Sequence, residues 1–192
     1  MFRRILPRAI FALAMMLTVH GGALAKNEWV NVPDLVVGYH NAQNDCDIKY
    51  SRYASGKSLN YLKPKAKVFG RLDKRRFMFG LFCSIGAYNT VYAIYVTGKS
   101  IRGGVERLAF GYPDETGKWK KMTSPMNVEY DRKARILTAH PYGRGLGDCY
   151  ADYKYKWSPR RGIFILLEYW LDDECDGKMN ARLIYRHRSL RK

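Results

Sequence analysis

The sequence contains few residues that could build a metal or redox centre. No two cysteines stand at the short spacing of a zinc site or a redox pair. The histidines are scattered along the chain, so they do not form a ligand cluster either. We therefore expect no metal and no cofactor. The four cysteines are Cys46, Cys83, Cys149 and Cys175.

Long hydrophobic runs are also scarce, which argues against a membrane-spanning protein. The run from Ala9 to Val19 is well short of the ~20 residues that a spanning helix needs. The uncharged stretch 77–98 is longer, but polar residues occupy its middle. We interpret that stretch as two strands and a turn.

The first 25 residues have the pattern of a cleaved export signal. Arginines precede the apolar run, and Ala23-Leu24-Ala25 supplies small residues at the spacing that a signal peptidase reads. We predict cleavage near Ala25 and a periplasmic or secreted protein. The rest has the length of one globular unit, with an N-terminal loop or short-helix segment at 26–65 and a β domain at 66–192.

Acidic residues are outnumbered two to one, with 17 Asp plus Glu against 34 Lys plus Arg and a net charge of +17. Signal removal would take away three arginines and lower this to +14. A field of this size attracts polyanions. The predicted partner is an anionic envelope glycan, a lipid phosphate or a protein, and nucleic acid is not expected outside the cytoplasm. The alternative is that the charge serves solubility alone, and the oligomeric state is left open.

Strand signals recur along the chain with short turns between them, which predicts a mainly β fold. We expect one antiparallel meander of seven to nine strands, forming a curved sheet, a sandwich or a partly closed barrel. A short helix near Asp34 is also expected. Apolar strands starting near Phe77 and Ile163 are predicted to be central, and a third strand, 153–157, alternates aromatic and lysine residues. Further strands are predicted at 105–112, at 182–185 and in a hairpin around Asp131-Arg132-Lys133.

The chain has no Gly-x-Ser-x-Gly motif, so the usual sequence signal of a serine hydrolase is missing. The candidate catalytic residues are then carboxylates, Asp148 and Glu168, as a pair for hydrolysis of an envelope polymer. Glu168 follows the apolar run 163–167, and burial would raise its pKa. The alternative, which we favour, is that Glu168 pairs with a lysine or arginine across the sheet.

Two loops are candidates for binding. The first is Cys83-Ser84-Ile85-Gly86-Ala87-Tyr88-Asn89, and the second is Gly143-Arg144-Gly145-Leu146-Gly147-Asp148-Cys149. Closely spaced glycines permit positive φ and close backbone approach, and their N–H groups can surround an anion. The alternative, which we favour, is a tight corner fixed by a disulfide. The candidate binding residues are Tyr88, Asn89, Arg144, Gly145 and Gly147.

These two loops, followed by Glu168-Tyr169-Trp170 and Glu174-Cys175, resemble the landmarks of the bacterial exported proteins of domain of unknown function 1176. The match covers roughly Cys46 to Tyr185 and corresponds to the C-terminal half of those proteins. The resemblance implies a periplasmic or secreted β-rich domain with structural cysteines. It implies no particular activity.

Four cysteines allow three pairings, and the strand order favours one of them. Cys149 begins one predicted strand and Cys175 follows the next, so an antiparallel pair would place them side by side. Cys46 would then pair with Cys83. The acidic run after Asp172 would approach Arg144, either as structural ion pairs or, less favoured, as a calcium site.

We therefore expect a disulfide-stabilised β domain that acts as a non-catalytic binding module for an anionic envelope component or a protein partner. The alternative hypothesis is a small hydrolase that uses Asp148 and Glu168.

Overall fold

The structure is a computed structural model, and it describes residues 32–43, 46, 66–98 and 104–190. The predicted export signal and most of the segment 26–65 lie outside the described residues. The elements, in chain order, are α1 (Asp34–Gln43), β1 (Lys67–Arg71), β2 (Arg76–Ile85), β3 (Thr90–Gly98), β4 (Val105–Arg107), β5 (Phe110–Pro113), β6 (Trp119–Met122), β7 (Glu129–Asp131), β8 (Ile136–Ala139), β9 (Tyr150–Ser158), β10 (Ile163–Asp172), β11 (Arg182–Arg186) and a short 3-10 helix at Arg188–Leu190.

The strands form three antiparallel sheets in a sandwich-like arrangement. The first sheet has the order β1-β2-β3-β4, the second has the order β11-β10-β9-β8-β7, and β5 and β6 form a two-stranded sheet. The predicted mainly β, antiparallel fold is confirmed. The described residues contain eleven strands rather than seven to nine, because several short strands were not expected.

The first sheet is buried on both of its faces. Six consecutive residues of β2, 78–83, are buried, as its apolar sequence predicted. On one face α1 packs against β3, where Tyr95 is hydrogen-bonded to His40 at 2.6 Å. On the other face Phe69 of β1 meets Tyr130 of β7 with ring centroids 6.5 Å apart. This contact brings the two larger sheets together over one core.

The second sheet has one buried and one more open face. Tyr153, Tyr155 and Trp157 of β9 are buried, and the lysines between them are on the other face. Phe110 of β5 fills the core beside Tyr155 and Phe164, with centroid distances of 5.2 and 5.5 Å. The alternation along β9 therefore predicted the buried face correctly.

The single strand predicted at 105–112 is wrong, because the chain changes sheets there. β4 pairs with β3, whereas β5 pairs with β6. At the corner between them Leu108 is buried, and its N–H donates to the Ile94 carbonyl at 2.8 Å. After this corner the chain leaves the first sheet and continues as β5.

The hairpin at Asp131 has the predicted turn, which connects the antiparallel strands β7 and β8. The Asp131 carboxylate accepts the N–H groups of Lys133 and Ala134 at 2.8 and 2.9 Å. An aspartate that satisfies the backbone two and three residues later is a common way to begin a turn.

Candidate functional site

The two landmark loops meet at one end of the sandwich, which we call the glycine end. It comprises the β2–β3 turn 86–89, the β8–β9 segment 140–149 and the β10–β11 segment 173–181. The turn and the β8–β9 segment contact each other through Tyr88, whose ring lies directly over Gly145. A side chain at Gly145 would overlap that ring, so this glycine is required for the close approach. Gly147 supplies a positive φ of 74° in the same segment.

Two asparagines connect the segments of the glycine end. Asn89 donates to the Tyr142 carbonyl at 2.8 Å and accepts the Tyr142 N–H at 2.9 Å. Asn127 accepts the Thr90 N–H at 2.9 Å and donates to the His140 carbonyl at 2.8 Å. It also donates to Oδ1 of Asn89 at 2.9 Å and approaches the Tyr88 carbonyl at 3.3 Å. We call these two residues the asparagine clamp.

Disulfides hold the sandwich at two places near this end. The bonded pairs are Cys46–Cys83 and Cys149–Cys175, with Cα–Cα distances of 4.8 and 4.6 Å. They are the two pairs favoured by the strand order. Cys149 and Cys175 line a cleft of about 430 Å³, together with Asn89 and Tyr142. Of the five predicted binding residues, Asn89 lines this cleft.

Arg144 and Asp148 form an ion pair within the β8–β9 segment. Arg144 Nε donates to Asp148 Oδ1 at 2.7 Å, and its Nη2 donates to Oδ2. Asp148 Oδ2 also accepts the Gly177 N–H at 2.7 Å, which joins the segment to the β10–β11 segment. The Arg144 hydrogen bonds lower the pKa of Asp148 far below its usual range; the Gly177 N–H adds to this effect. The Arg144 guanidinium is thus already paired with a carboxylate.

Glu168 lies close to an arginine and a lysine on the neighbouring strands, as the favoured alternative predicted. Arg186 of β11 lies 3.2 Å away, and Lys154 of β9 lies 3.9 Å away. Glu168 is also distant from Asp148. In the register of β9 and β10, Asp172 lies opposite Tyr150, which is two residues from Asp148. Glu168 is four residues away from Asp172 along β10, which corresponds to roughly 13 Å at ~3.3 Å per residue. Both carboxylates therefore have the contacts of structural ion pairs.

The acidic run does not assemble a metal site in the described part of the chain, where no cluster of three metal-ligating side chains occurs. Asp172 accepts the Asn180 N–H at 2.9 Å. Asp173 pairs with Arg182 at 3.1 Å and Asp176 with Lys178 at 3.0 Å. His140 is hydrogen-bonded to Asp152, and its ring stacks on that of Tyr150 with the centroids 5.0 Å apart.

Comparison with known proteins assigns the chain to a family. A family model described as "Protein of unknown function (DUF1176)" matches residues 39–186, which include every landmark of the glycine end. The chain belongs to the DUF1176 family. The resemblance inferred from the loop sequences is therefore confirmed.

A curated relative is itself without an assigned activity. The uncharacterized protein YpfG of Escherichia coli (strain K12) is 27% identical over 120 residues, which is 62% of this chain and 34% of YpfG. The match thus spans about a third of that relative. No solved structure matches this DUF1176 chain significantly.

A second candidate site of the DUF1176 chain lies at the opposite end of the sandwich. Three turns meet there: 71–76 between β1 and β2, 131–135 between β7 and β8, and 159–162 between β9 and β10. We call this surface the arginine end. Arg76 Nη1 donates to the Pro159 carbonyl at 3.2 Å, and Arg132 Nε donates to the Phe69 carbonyl at 2.9 Å. These bonds connect each turn to a neighbouring element.

The arginine end carries nine basic and two acidic residues. One acid, Asp73, lies below the surface and accepts the indole N–H of Trp157 at 3.0 Å. Burial opposes its charge, but the Arg75 N–H, the Trp157 indole and the Arg76 charge together lower the pKa of Asp73 below its usual value. The other acid, Asp131, caps its own turn. The basic residues are Arg71, Lys74, Arg75, Arg76, Arg132, Lys133, Arg135, Arg160 and Arg161.

Two adjoining clefts open between these turns, with volumes of about 360 and 330 Å³. Asp73, Lys74 and Arg135 line both of them. Lys74 and Arg135 are exposed, and neither forms an ion pair within the described residues. The clefts therefore present cations that a ligand with several negative charges can reach. Sequence reasoning missed this site because each turn was considered separately.

The ion pairs predict acid sensitivity of the fold. Asp148 has a pKa below its unfolded value, so its contribution to stability is complete above pH ~4 and is lost as the pH falls further. We expect the Asp148→Asn variant to be less stable than the wild type at pH 7 and to lose less stability between pH 5 and pH 3. Urea unfolding at these three pH values measures both effects. Asp173→Asn, which removes an exposed carboxylate nearby, should keep the acid dependence of the wild type, and an unchanged dependence in Asp148→Asn would contradict the assignment.

Proposed function

We propose that this DUF1176 chain acts outside the cytoplasm as a non-catalytic module that binds an anionic component of the cell envelope through the arginine end. The observation that supports this most directly is the meeting of three basic turns around two clefts. Two disulfides are consistent with an oxidising compartment. Among the described residues, no helix is long and apolar enough to cross a membrane.

The arginine end has a hydrogen-bonded base beneath exposed, charged side chains. The Arg76 guanidinium is fixed by Asp73 at 3.2 Å and lies 5.5 Å from the centre of the Trp157 ring. Such a base keeps the turns together despite the mutual repulsion of their charges. The outer cations, including Lys74 and Arg135, are then free to follow the spacing of negative groups on a polymer or surface.

Electrostatics at this surface are strong enough for useful affinity. Each lysine or arginine near an anionic surface contributes ~1 kcal/mol at moderate ionic strength. The contribution falls as salt shortens the screening length from ~10 Å at 0.1 M towards ~3 Å at 1 M. Binding by the arginine end should therefore weaken steadily as salt is added.

We expect the double variant Lys74→Ala/Arg135→Ala to bind polyanions about 30-fold more weakly at low salt, since two contacts of ~1 kcal/mol are lost. Alginate oligosaccharides and inorganic polyphosphate serve as defined probes, and titration calorimetry at two salt concentrations gives the affinities. The double variant should also show a shallower dependence of affinity on salt.

The matched control is Lys118→Ala/Lys178→Ala, which removes the same charge from exposed sites outside the arginine end. We expect it to change affinity by less than about threefold, because distant exposed charges are screened. Equal losses in the two double variants would mean that net charge alone attracts the probes. No binding of either probe by the wild type would also contradict the proposal.

A further inference from the structure

A groove of about 500 Å³ begins beside the arginine end and runs between two groups of strands. One wall comes from β4, β5 and β6, and the other comes from β10 and β11. Arg161 and Gly162, which belong to the β9–β10 turn of the arginine end, line its beginning. A linear ligand held by the arginine end can therefore continue directly into this groove.

The groove contains a flat aromatic surface, the indole of Trp119. The indole and the Tyr185 ring lie nearly perpendicular, at 81°, with their centroids 5.4 Å apart. A Cβ built on Gly111 would lie 3.4 Å from the six-membered part of the indole, so Gly111 lets Trp119 lie close to the β5 backbone. Trp119 nevertheless remains 55% exposed. The ring is thus fixed in place while much of its surface faces solvent.

Cations line the same groove as this aromatic surface. Lys121 lies two residues along β6 and lines the same groove, while Lys120 faces the other way and pairs with Asp114 at 3.1 Å. Arg161 lies across the groove on the β9–β10 turn. Glu106 is the acidic residue among those lining the groove. An exposed aromatic plane between positive charges fits a ligand that has both an apolar ring face and a negative group.

We propose that this groove binds a sugar ring of an acidic glycan, which packs on Trp119 while its carboxylate or phosphate group approaches Lys121 and Arg161. The proposal rests on the anion-binding function of the arginine end and specifies its ligand class. A pyranose ring has an apolar C–H face that suits an aromatic plane and a polar edge that suits charged side chains. The glycan chain would extend from the groove across the basic turns.

The test compares two polyanions that differ in whether they contain rings. We expect Trp119→Ala to bind alginate oligosaccharides about tenfold more weakly, because roughly 50 Å² of indole surface is no longer covered on binding. Its affinity for inorganic polyphosphate should change by less than about twofold. Alginate should also change the tryptophan fluorescence of the wild type, and this change should be reduced in the variant.

Met179→Ala is the matched control, since it truncates another exposed apolar side chain, at the glycine end. It should leave both affinities unchanged. A Trp119→Ala variant that keeps wild-type affinity for alginate would overturn the glycan proposal and leave the arginine-end proposal standing, provided that Lys74→Ala/Arg135→Ala still weakens both probes. If Trp119→Ala weakened only the binding of phosphatidylglycerol vesicles, Trp119 would belong to a lipid-binding surface. If it abolished only self-association, Trp119 would belong to an interface between copies. Either result would also overturn the glycan proposal.

Discussion

Removal of the Cys149–Cys175 disulfide should lower the free energy of unfolding by about 3.5 kcal/mol. The two residues are 26 positions apart, and closing a loop of this length restricts the unfolded chain by about that amount. For a chain of this size, the melting temperature should fall by about 7–14 °C. The variant is Cys149→Ala/Cys175→Ala, and urea and thermal unfolding measure the change.

The second disulfide provides the internal comparison. Cys46 and Cys83 are 37 positions apart, so chain entropy predicts a loss only a few tenths of a kcal/mol larger for Cys46→Ala/Cys83→Ala. A loss of less than ~1 kcal/mol in Cys149→Ala/Cys175→Ala would contradict the prediction. It would mean that the Arg144–Asp148 pair and the asparagine clamp already hold the glycine end without the disulfide.

The strands that the sequence predicted best are those that bury an unambiguous face. In β9 the alternation of aromatic and lysine residues matches the observed alternation of buried and exposed side chains. In β2 an unbroken apolar run matches a central strand covered on both faces. In both strands burial of apolar area fixes the register, so the pattern and the structure share one cause.

The strands that were missed show no clear pattern of buried and exposed positions in their sequences. β6, with the sequence Trp-Lys-Lys-Met, is almost wholly exposed and pairs with β5 alone. β1 is short and irregular, since its register shifts between Val68 and Gly70. These strands exist because a neighbouring strand offers hydrogen bonds at the right place. That is tertiary information which a local pattern does not contain.

The arginine end was within reach of sequence reasoning. Basic residues cluster at three places in the sequence, as Lys74-Arg75-Arg76, Arg132-Lys133 and Arg160-Arg161. In an antiparallel meander alternate turns lie at the same end of the sheet, so the second and third clusters must approach each other. The first cluster belongs to the other sheet. Its approach to the second and third clusters depends on how the two sheets pack, which the sequence did not specify.

At the glycine end the sequence predicted the tight corner but not the side-chain contacts. Gly145 and Gly147 signalled a tight corner, and the structure uses one for close approach and the other for a positive φ. The ion-pair partner of Arg144 was less predictable, because either Asp148 or a carboxylate of the acidic run could have reached it. Bidentate geometry within the segment favours Asp148. Asn127 gave no signal beyond its place after Pro125-Met126.

Replacement of Asn127 by alanine should destabilise the fold by about 3–4 kcal/mol. The change removes three hydrogen bonds, to the Thr90 N–H, to Oδ1 of Asn89 and to the His140 carbonyl, at ~1 kcal/mol each. A further cost of ~1 kcal/mol arises from the backbone, because Asn127 has a φ of 49° that asparagine tolerates better than alanine does. Urea unfolding at pH 7 measures the total.

Asn127→Gly separates the two causes, since glycine adopts this φ without strain while losing the same hydrogen bonds. We expect it to be about 1 kcal/mol more stable than Asn127→Ala and still about 2–3 kcal/mol less stable than the wild type. Equal stabilities of the two variants would show that the backbone conformation carries no cost. A wild-type stability in Asn127→Gly would show that the side chain does not hold the three segments together, and the glycine end would then depend on Asn89, the Arg144–Asp148 pair and the disulfides.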